Sequence, residues 1–136
     1  MICLHFFYCN TVLSFLANRC CCVHAGSWSP RYNTQNEWIQ IDFESQHRVE
    51  KVSTRRRPDT GRAQWVTSYN LARSLDGTNF EPASGPHNVN VNTPNTRATI
   101  ELTEPLIGRS FRLLPISWNN HISMRLEFEG CKSKLL

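Results

Sequence analysis

The densest charge in this chain is Arg55-Arg56-Arg57, with Arg62 shortly after. Arginines grouped in a loop hold phosphate, sulfate or carboxylate through bidentate hydrogen bonds. The same run also suits a solvated loop that only adds solubility. Trp65 stands next to it. Trp28 and Tyr32 lie earlier, in a stretch rich in turn residues. An aromatic ring at a loop tip stacks on a sugar face or dips into a membrane interface, or it plugs the end of a core. Asn88, Asn90 and Asn92 alternate, followed by Thr93. Their amides bond sugar hydroxyls or hold turns through their own backbone. His121, after Asn119-Asn120, either contacts a ligand or caps its loop. All of this is binding chemistry. The sequence has no HExxH, GxSxG or phosphate-loop motif. Beyond residue 25 the one cysteine, Cys131, and His47, His87 and His121 are widely separated. That spacing gives no nucleophile–base pair and no metal site. We therefore expect no enzyme and no bound metal.

A chain of 136 residues makes one domain. Hydrophobic residues at 40% and charged residues at 19% suit a folded chain. The net charge of +4 is mild. The six cysteines are unevenly placed, with Cys3, Cys9, Cys20, Cys21 and Cys22 at the front and Cys131 at the far end. That is neither a regular disulfide framework nor a paired CxxC zinc site.

The front segment, residues 1–25, is apolar over ICLHFFYCNTVLSFLA and carries no full charge before Arg19. It is shorter than a spanning helix needs. Val23-His24-Ala25 before Gly26 resembles a leader cleavage site. The segment reads as a secretory signal peptide, as a non-native stretch or the damaged front of a longer domain, or as a membrane anchor.

From Gly26 the texture is that of strands. Ile39, Ile41 and Phe43 alternate, as do Tyr69, Leu71 and, further on, Leu75. Shorter runs contain Val49 and Val52, Ala98 to Leu102, and Phe111 with Leu113. The cleanest alternation is Ile122, Met124, Leu126 and Phe128. Period two marks half-buried strands. Asp76-Gly77 is a turn signal. Many short strands between turns predict an antiparallel sandwich or barrel.

Several motifs in order carry a family resemblance. Gly26-Ser27-Trp28-Ser29-Pro30 and Glu37-Trp38-Ile39-Gln40-Ile41-Asp42-Phe43 open it. Ser74-Leu75-Asp76-Gly77-Thr78-Asn79-Phe80 continues it. His121-Ile122-Ser123-Met124-Arg125-Leu126-Glu127 with Gly130-Cys131 closes it. Residues 26–131 resemble a discoidin domain, also called a coagulation factor V/VIII type C domain, with residues 132–136 as a tail. The resemblance implies an all-β, jelly-roll-like antiparallel β-sandwich with spike loops at one end. It implies an extracellular module of a secreted or cell-surface protein, serving adhesion or ligand binding. Glycans, anionic phospholipid in a peripheral membrane contact, or matrix proteins are the implied partners; nucleic acid is not. No cofactor is implied, and members differ over calcium. The ligand loops would hold Trp28, Tyr32, Arg55, Arg56, Arg57, Arg62, Trp65, Asn88, Asn92 and His121.

The chain departs from the pattern at its start. Family domains begin with a cysteine, a first strand and a first spike ahead of the GSW motif. Here the match begins at that motif, so the sandwich is expected to lack its first strand. Cys131 occupies the position that normally bridges to the opening cysteine. Its partner is open: one of Cys20, Cys21 or Cys22, or none. The alternative to a binding module is a truncated fragment with only a structural or interaction role.

Overall fold

The computed structural model describes residues 3–8, 15–17, 27–58, 61–93 and 95–133. They form β1 (Cys3–Tyr8), β2 (Phe15–Ala17), β3 (Ile39–Arg55), β4 (Trp65–Ser74), β5 (Glu81–Asn88), β6 (Ala98–Asn119) and β7 (Arg125–Lys132). Every ladder is antiparallel. The strand order is β1-β7-β3-β6-β4-β5, with β2 beside β3. The all-β sandwich expected from the period-two runs is the observed fold. The leader-like cleavage stretch 21–26, Cys9, Cys20, Cys21, Cys22, Asp59, Thr60, Pro94 and residues 134–136 lie outside the described residues.

Two long strands make the sandwich by bending. The run at Ile39–Phe43 and the run at Val49–Val52 belong to one strand, β3, whose ladder with β6 shifts register between Asp42 and His47. Glu44 there has a positive φ of 62°, a left-handed conformation that turns the chain. β6 likewise joins the two runs expected around Ile100 and Phe111. It bends near Gly108, where a Cβ would lie 3.1 Å from the Ser74 carbonyl oxygen. The first half of β3 pairs with the second half of β6, which also carries β4. The second half of β3 pairs with β7. The two layers meet on Phe43, Phe111 and Phe128, whose ring centroids are 5.7–6.0 Å apart. Ile39, Ile41, Val52, Leu113, Ile122 and Met124 complete a core in which each is at most 2% exposed.

This folding gives the molecule two poles. The bends of β3 and β6 and the Asp76-Gly77 turn lie at one, the corner pole. Gln46 Nε2 donates to the Leu75 carbonyl there, and Arg73 Nη1 to that of Ile107. The loops 27–38 and 120–124 and the described residues of 56–64 and 89–97 lie at the other, the loop pole.

Three local features differ from the sequence reading. Leu75 continues the alternation of β4 but is 55% exposed. The strand ends at Ser74, whose hydroxyl donates to Asp76 Oδ1 and starts the turn. β5 carries Pro82 and Pro86 and had no strand signal. It is the outermost strand beside β4, where a missing N–H breaks no second ladder. Finally, residues 26–131 supply β3 to β7, whereas β1 and β2 come from the front segment. β1 runs along the edge of β7 that the incomplete family match leaves unpaired.

Candidate functional site

The loop pole is assembled by side chains that reach between loops. Asn33 Nδ2 donates to the Asn120 carbonyl at 3.0 Å, and Asn33 Oδ1 accepts from the Ile122 N–H. Asn119 and Asn120 both donate to the Ala63 carbonyl at 2.8 Å. Gln35 Nε2 donates to the Ile116 carbonyl. These amides pin loop 27–38 to loop 120–124, and that loop to 56–64. None of Asn33, Gln35, Asn119 and Asn120 stood out as a site residue in the sequence. Asn-rich loops give no sign of which carbonyl they will meet.

Arg56 ties two further loops. It is 7% exposed, which a solvated arginine run does not predict. Its Nη1 donates to the Asn92 carbonyl at 2.6 Å and its Nη2 to the Arg62 carbonyl at 3.1 Å. The guanidinium also sits 5.0 Å over the Trp65 ring. Burying a charge is tolerable when its donors find partners: two carbonyls take Nη1 and Nη2 and the ring faces the guanidinium, while Nε is buried without a hydrogen-bond acceptor. Arg57 is buried as well, and Arg55 is half-buried at the end of β3. The triplet is thus not three equivalent surface hooks. Arg56 is a clamp inside the pole, while Arg62 is exposed on its surface.

The other candidates divide the same way. Trp28 is 7% exposed and exchanges backbone hydrogen bonds with Met124, so its ring closes the core. Tyr32 is 43% exposed, with the Arg31 guanidinium 5.5 Å from its ring. Arg31 is a neighbour the sequence reading passed over. Trp65 is half-buried under Arg56. Asn88 and Asn92 are exposed; Asn88 ends β5 opposite Ser68, and buried Val91 anchors the loop that carries Asn92. His121 is half-buried and its Nδ1 donates to the Ile122 carbonyl at 2.8 Å, which caps the loop.

The electrostatics follow from these partners. Arg31, Arg55, Arg56, Arg57, Arg62 and Arg125 all lie at or beside the loop pole. A carbonyl or a ring satisfies a guanidinium without cancelling its charge. The Arg125 Nε donor, for example, goes to the Arg56 carbonyl. Glu127 sits against Arg97, 3.3 Å away, and Glu37 is buried. Among the described residues of the pole arginines outnumber carboxylates, and Tyr32 is exposed beside Arg31. Among the described residues no group of three or more His, Cys, Asp or Glu is placed to hold a metal ion.

A second cation lies on the outer face of β6. The Arg112 guanidinium sits between the rings of Trp38 at 4.0 Å and Phe80 at 3.8 Å, with Nε donating to Gln40 Oε1. The stack holds the Trp38 ring against the sheet.

A family model for the F5/8 type C domain matches residues 22–128. The chain belongs to this family. Lactadherin of Mus musculus is 35% identical over 109 residues, covering 77% of this chain and 24% of that protein. Neuropilin-1 of Xenopus laevis is 34% identical over 111 residues, covering 77% of this chain and 12% of its own length. This F5/8 type C domain thus spans at most about a quarter of either relative. The crystal structure of recombinant discoidin II of Dictyostelium discoideum superposes with a TM-score of 0.70 at 34% identity, over 80% of this chain and 43% of that one. A family 32 CBM from C. perfringens, solved with galactose, shares the fold at a TM-score of 0.63 and 13% identity, over 77% of each chain.

Proposed function

We propose that this F5/8 type C domain is an extracellular ligand-binding module, without catalytic activity, that serves adhesion. Its loop pole docks on anionic groups displayed at a surface. Phosphate of a lipid head group and sulfate or carboxylate of a glycan or matrix protein share the needed chemistry. The observation that carries this reading is the excess of arginine over carboxylate among the described residues of the loop pole, with Tyr32 exposed there beside Arg31. Arg31 and Arg62 supply bidentate donors, and Tyr32 supplies an amphipathic ring for an interface. Arg56, Trp28 and His121 hold the loops in place and take no direct part. Membership of a family of binding domains supports the reading, as does the separation of this pole from the charged pairs of the corner pole.

The test is sedimentation of the full chain with vesicles of phosphatidylserine and phosphatidylcholine, beside vesicles of phosphatidylcholine alone, beads of a sulfated glycan and beads of neutral galactose. Binding to the anionic supports should fall with rising salt and drop about tenfold in the double variant R31S/R62S, a loss of about 1.4 kcal/mol. Equal binding to neutral and anionic supports, or an unaltered double variant, would count against it.

A further inference from the structure

The outer face of the β4–β5–β6 side carries a groove of about 650 Å³, and no residue of the loop pole lines it. The register explains why there is room. Gln40, Arg112, Ala72 and Pro82 stand in one row across β3, β6, β4 and β5. Cross-strand neighbours share a face, so the short Ala72 side chain leaves a gap between those of Arg112 and Pro82. In the adjoining row Asn70 stands opposite Leu114 of β6. On its other side Asn70 meets two residues, Gly85 and Pro86, a bulge between the pairs Tyr69–His87 and Leu71–Ser84. Gly85 has a φ of 117°, and a Cβ there would lie 2.6 Å from Asn70 Oδ1. Only glycine lets the bulge close on Asn70 in this way. Phe80 and Pro86 complete the apolar lining.

Four polar side chains line the groove, and two of them are engaged elsewhere. Glu81 Oε1 accepts from Arg73 Nε at 3.0 Å, and the Ser84 hydroxyl hydrogen-bonds His87 Nε2 at 2.8 Å. Arg112 and Asn70 are left. Arg112 is held in one plane by the rings of Trp38 and Phe80, and its Nε donates to Gln40 Oε1 at 2.9 Å. Gln40 is neutral, so this hydrogen bond fixes the guanidinium without cancelling its charge. Among the described residues neither Nη1 nor Nη2 of Arg112 has an acceptor, and the Asn70 amide has no partner. Burial alone pulls the Arg112 pKa below the ordinary arginine value, with no carboxylate to offset it. An arginine stays charged at neutral pH even so.

We propose that this groove is a second binding site, for a small acid in which one carboxylate is borne on an apolar body. The carboxylate takes the Nη1–Nη2 edge of Arg112, whose planar fork matches it. The body lies along Ala72, Leu114, Phe80 and the two prolines. The volume falls in the range of about 300–1,000 Å³ usual for small-molecule sites, which pair apolar walls with a few placed polar groups. One guanidinium balances one negative charge. A phosphate ester, carrying close to two, would leave the remainder in a largely apolar groove. A sugar acid would bring several hydroxyls to walls that offer them one free amide. The site does not depend on what the loop pole binds.

Titration of the full chain, labelled with nitrogen-15, with hexanoate tests this by nuclear magnetic resonance. The signals of Arg112 Nε–H and of the Asn70 side-chain amide should shift together and saturate. Hexanamide, galacturonate and hexyl phosphate should each bind at least about tenfold more weakly. No saturable shift with hexanoate overturns the site. Hexanamide binding as tightly as hexanoate removes the ion pair. Equal binding of galacturonate removes the apolar body, and equal binding of hexyl phosphate removes the preference for carboxylate. Ala72→Leu fills the gap while Arg112 stays in place, and should weaken hexanoate at least about tenfold; an unaltered affinity rejects the groove. Arg112→Lys keeps the charge but loses the fork and the stack, and the same loss is expected, an unaltered affinity ruling out the guanidinium as receptor. Should Ala72→Leu not fold, the ligand series and Arg112→Lys still decide.

Discussion

Asp42 at the corner pole meets Arg109, with Nε on Oδ1 at 2.9 Å and Nη2 on Oδ2 at 3.0 Å. Arg56 at the loop pole meets two carbonyl oxygens and a ring. Both guanidiniums are held by hydrogen bonds, yet the outcomes differ. The carboxylate neutralises Arg109, so the corner pole ends with paired charge. The carbonyls leave the charge of Arg56 in place, and the loop pole stays positive. Satisfying hydrogen bonds and cancelling charge are separate achievements, and here each end of one sandwich shows one of them. The corner pole is built to hold, and the loop pole to hold while still attracting.

The comparison can be broken at several points. The largest effect on folding is expected for Arg56→Ala. It removes two charged donors and a cation–π contact and leaves two part-buried carbonyls without them, a loss of about 2–4 kcal/mol in denaturant unfolding. Binding to anionic vesicles should fall with it, because the loops around Arg62 lose their tether. Asp42→Ala comes next, with a loss of about 1–3 kcal/mol from an ion pair at the bend of β3. Here vesicle binding should not change; a change would mean that the poles are coupled.

Acid separates the poles by another route. Burial alone would raise the Asp42 carboxyl, but the hydrogen bond and charge of Arg109, with the Glu44 N–H and Ser110, hold it below the ordinary carboxylate value. Asp76 is held low by the N–H groups of Asn79 and Thr78, then by the side chains of Asn79 and Ser74. A depressed carboxyl stabilises the fold above its unfolded pKa of about 3.9, and that help is lost as pH falls through the folded value. Hydrogen exchange at Gly77–Asn79 should therefore quicken below about pH 4 before it does at Trp28 or Met124. Between the two poles, burial lowers the pKa of His87, which hydrogen-bonds Ser84 across 2.8 Å on β5. Its neutral form stabilises β5 fully above about pH 6.5, and that contribution fades as pH drops toward the lowered value. H87Q should flatten the melting temperature between about pH 7 and 5. The smallest effect on folding belongs to R31S/R62S, within about 0.5 kcal/mol, in the variant that loses most binding.

Much of this was legible in the chain because period two is a local property. Ile122, Met124, Leu126 and Phe128 face the core as their alternation says, and Gly77 takes the positive φ of 83° that the Asp-Gly turn needs. What stayed hidden depends on partners far away in sequence. Arg56 looks like its neighbours until the Asn92 and Arg62 carbonyls are beside it. Ser123 and Glu127 fall on the outward side of the alternation that leads through β7 and are still buried, because Ser29 donates to the one and Arg97 pairs with the other. The uncharged run at 2–17 has the composition of a leader, and composition does not say that residues 3–8 and 15–17 will lie as strands beside β7 and β3. β5 was silent because two prolines outweigh a strand signal unless the strand is known to be an outer one.

The pairing of Cys3 with Cys131, and of His47 with Lys132, has a consequence for how such a unit is mounted. Both ends of the described chain emerge side by side at the corner pole, facing away from Tyr32 and Arg62. A tether, a neighbouring domain or a fusion partner joined at either terminus hangs from the same side. Attachments at either end therefore leave the loop pole, where binding is proposed, unshadowed.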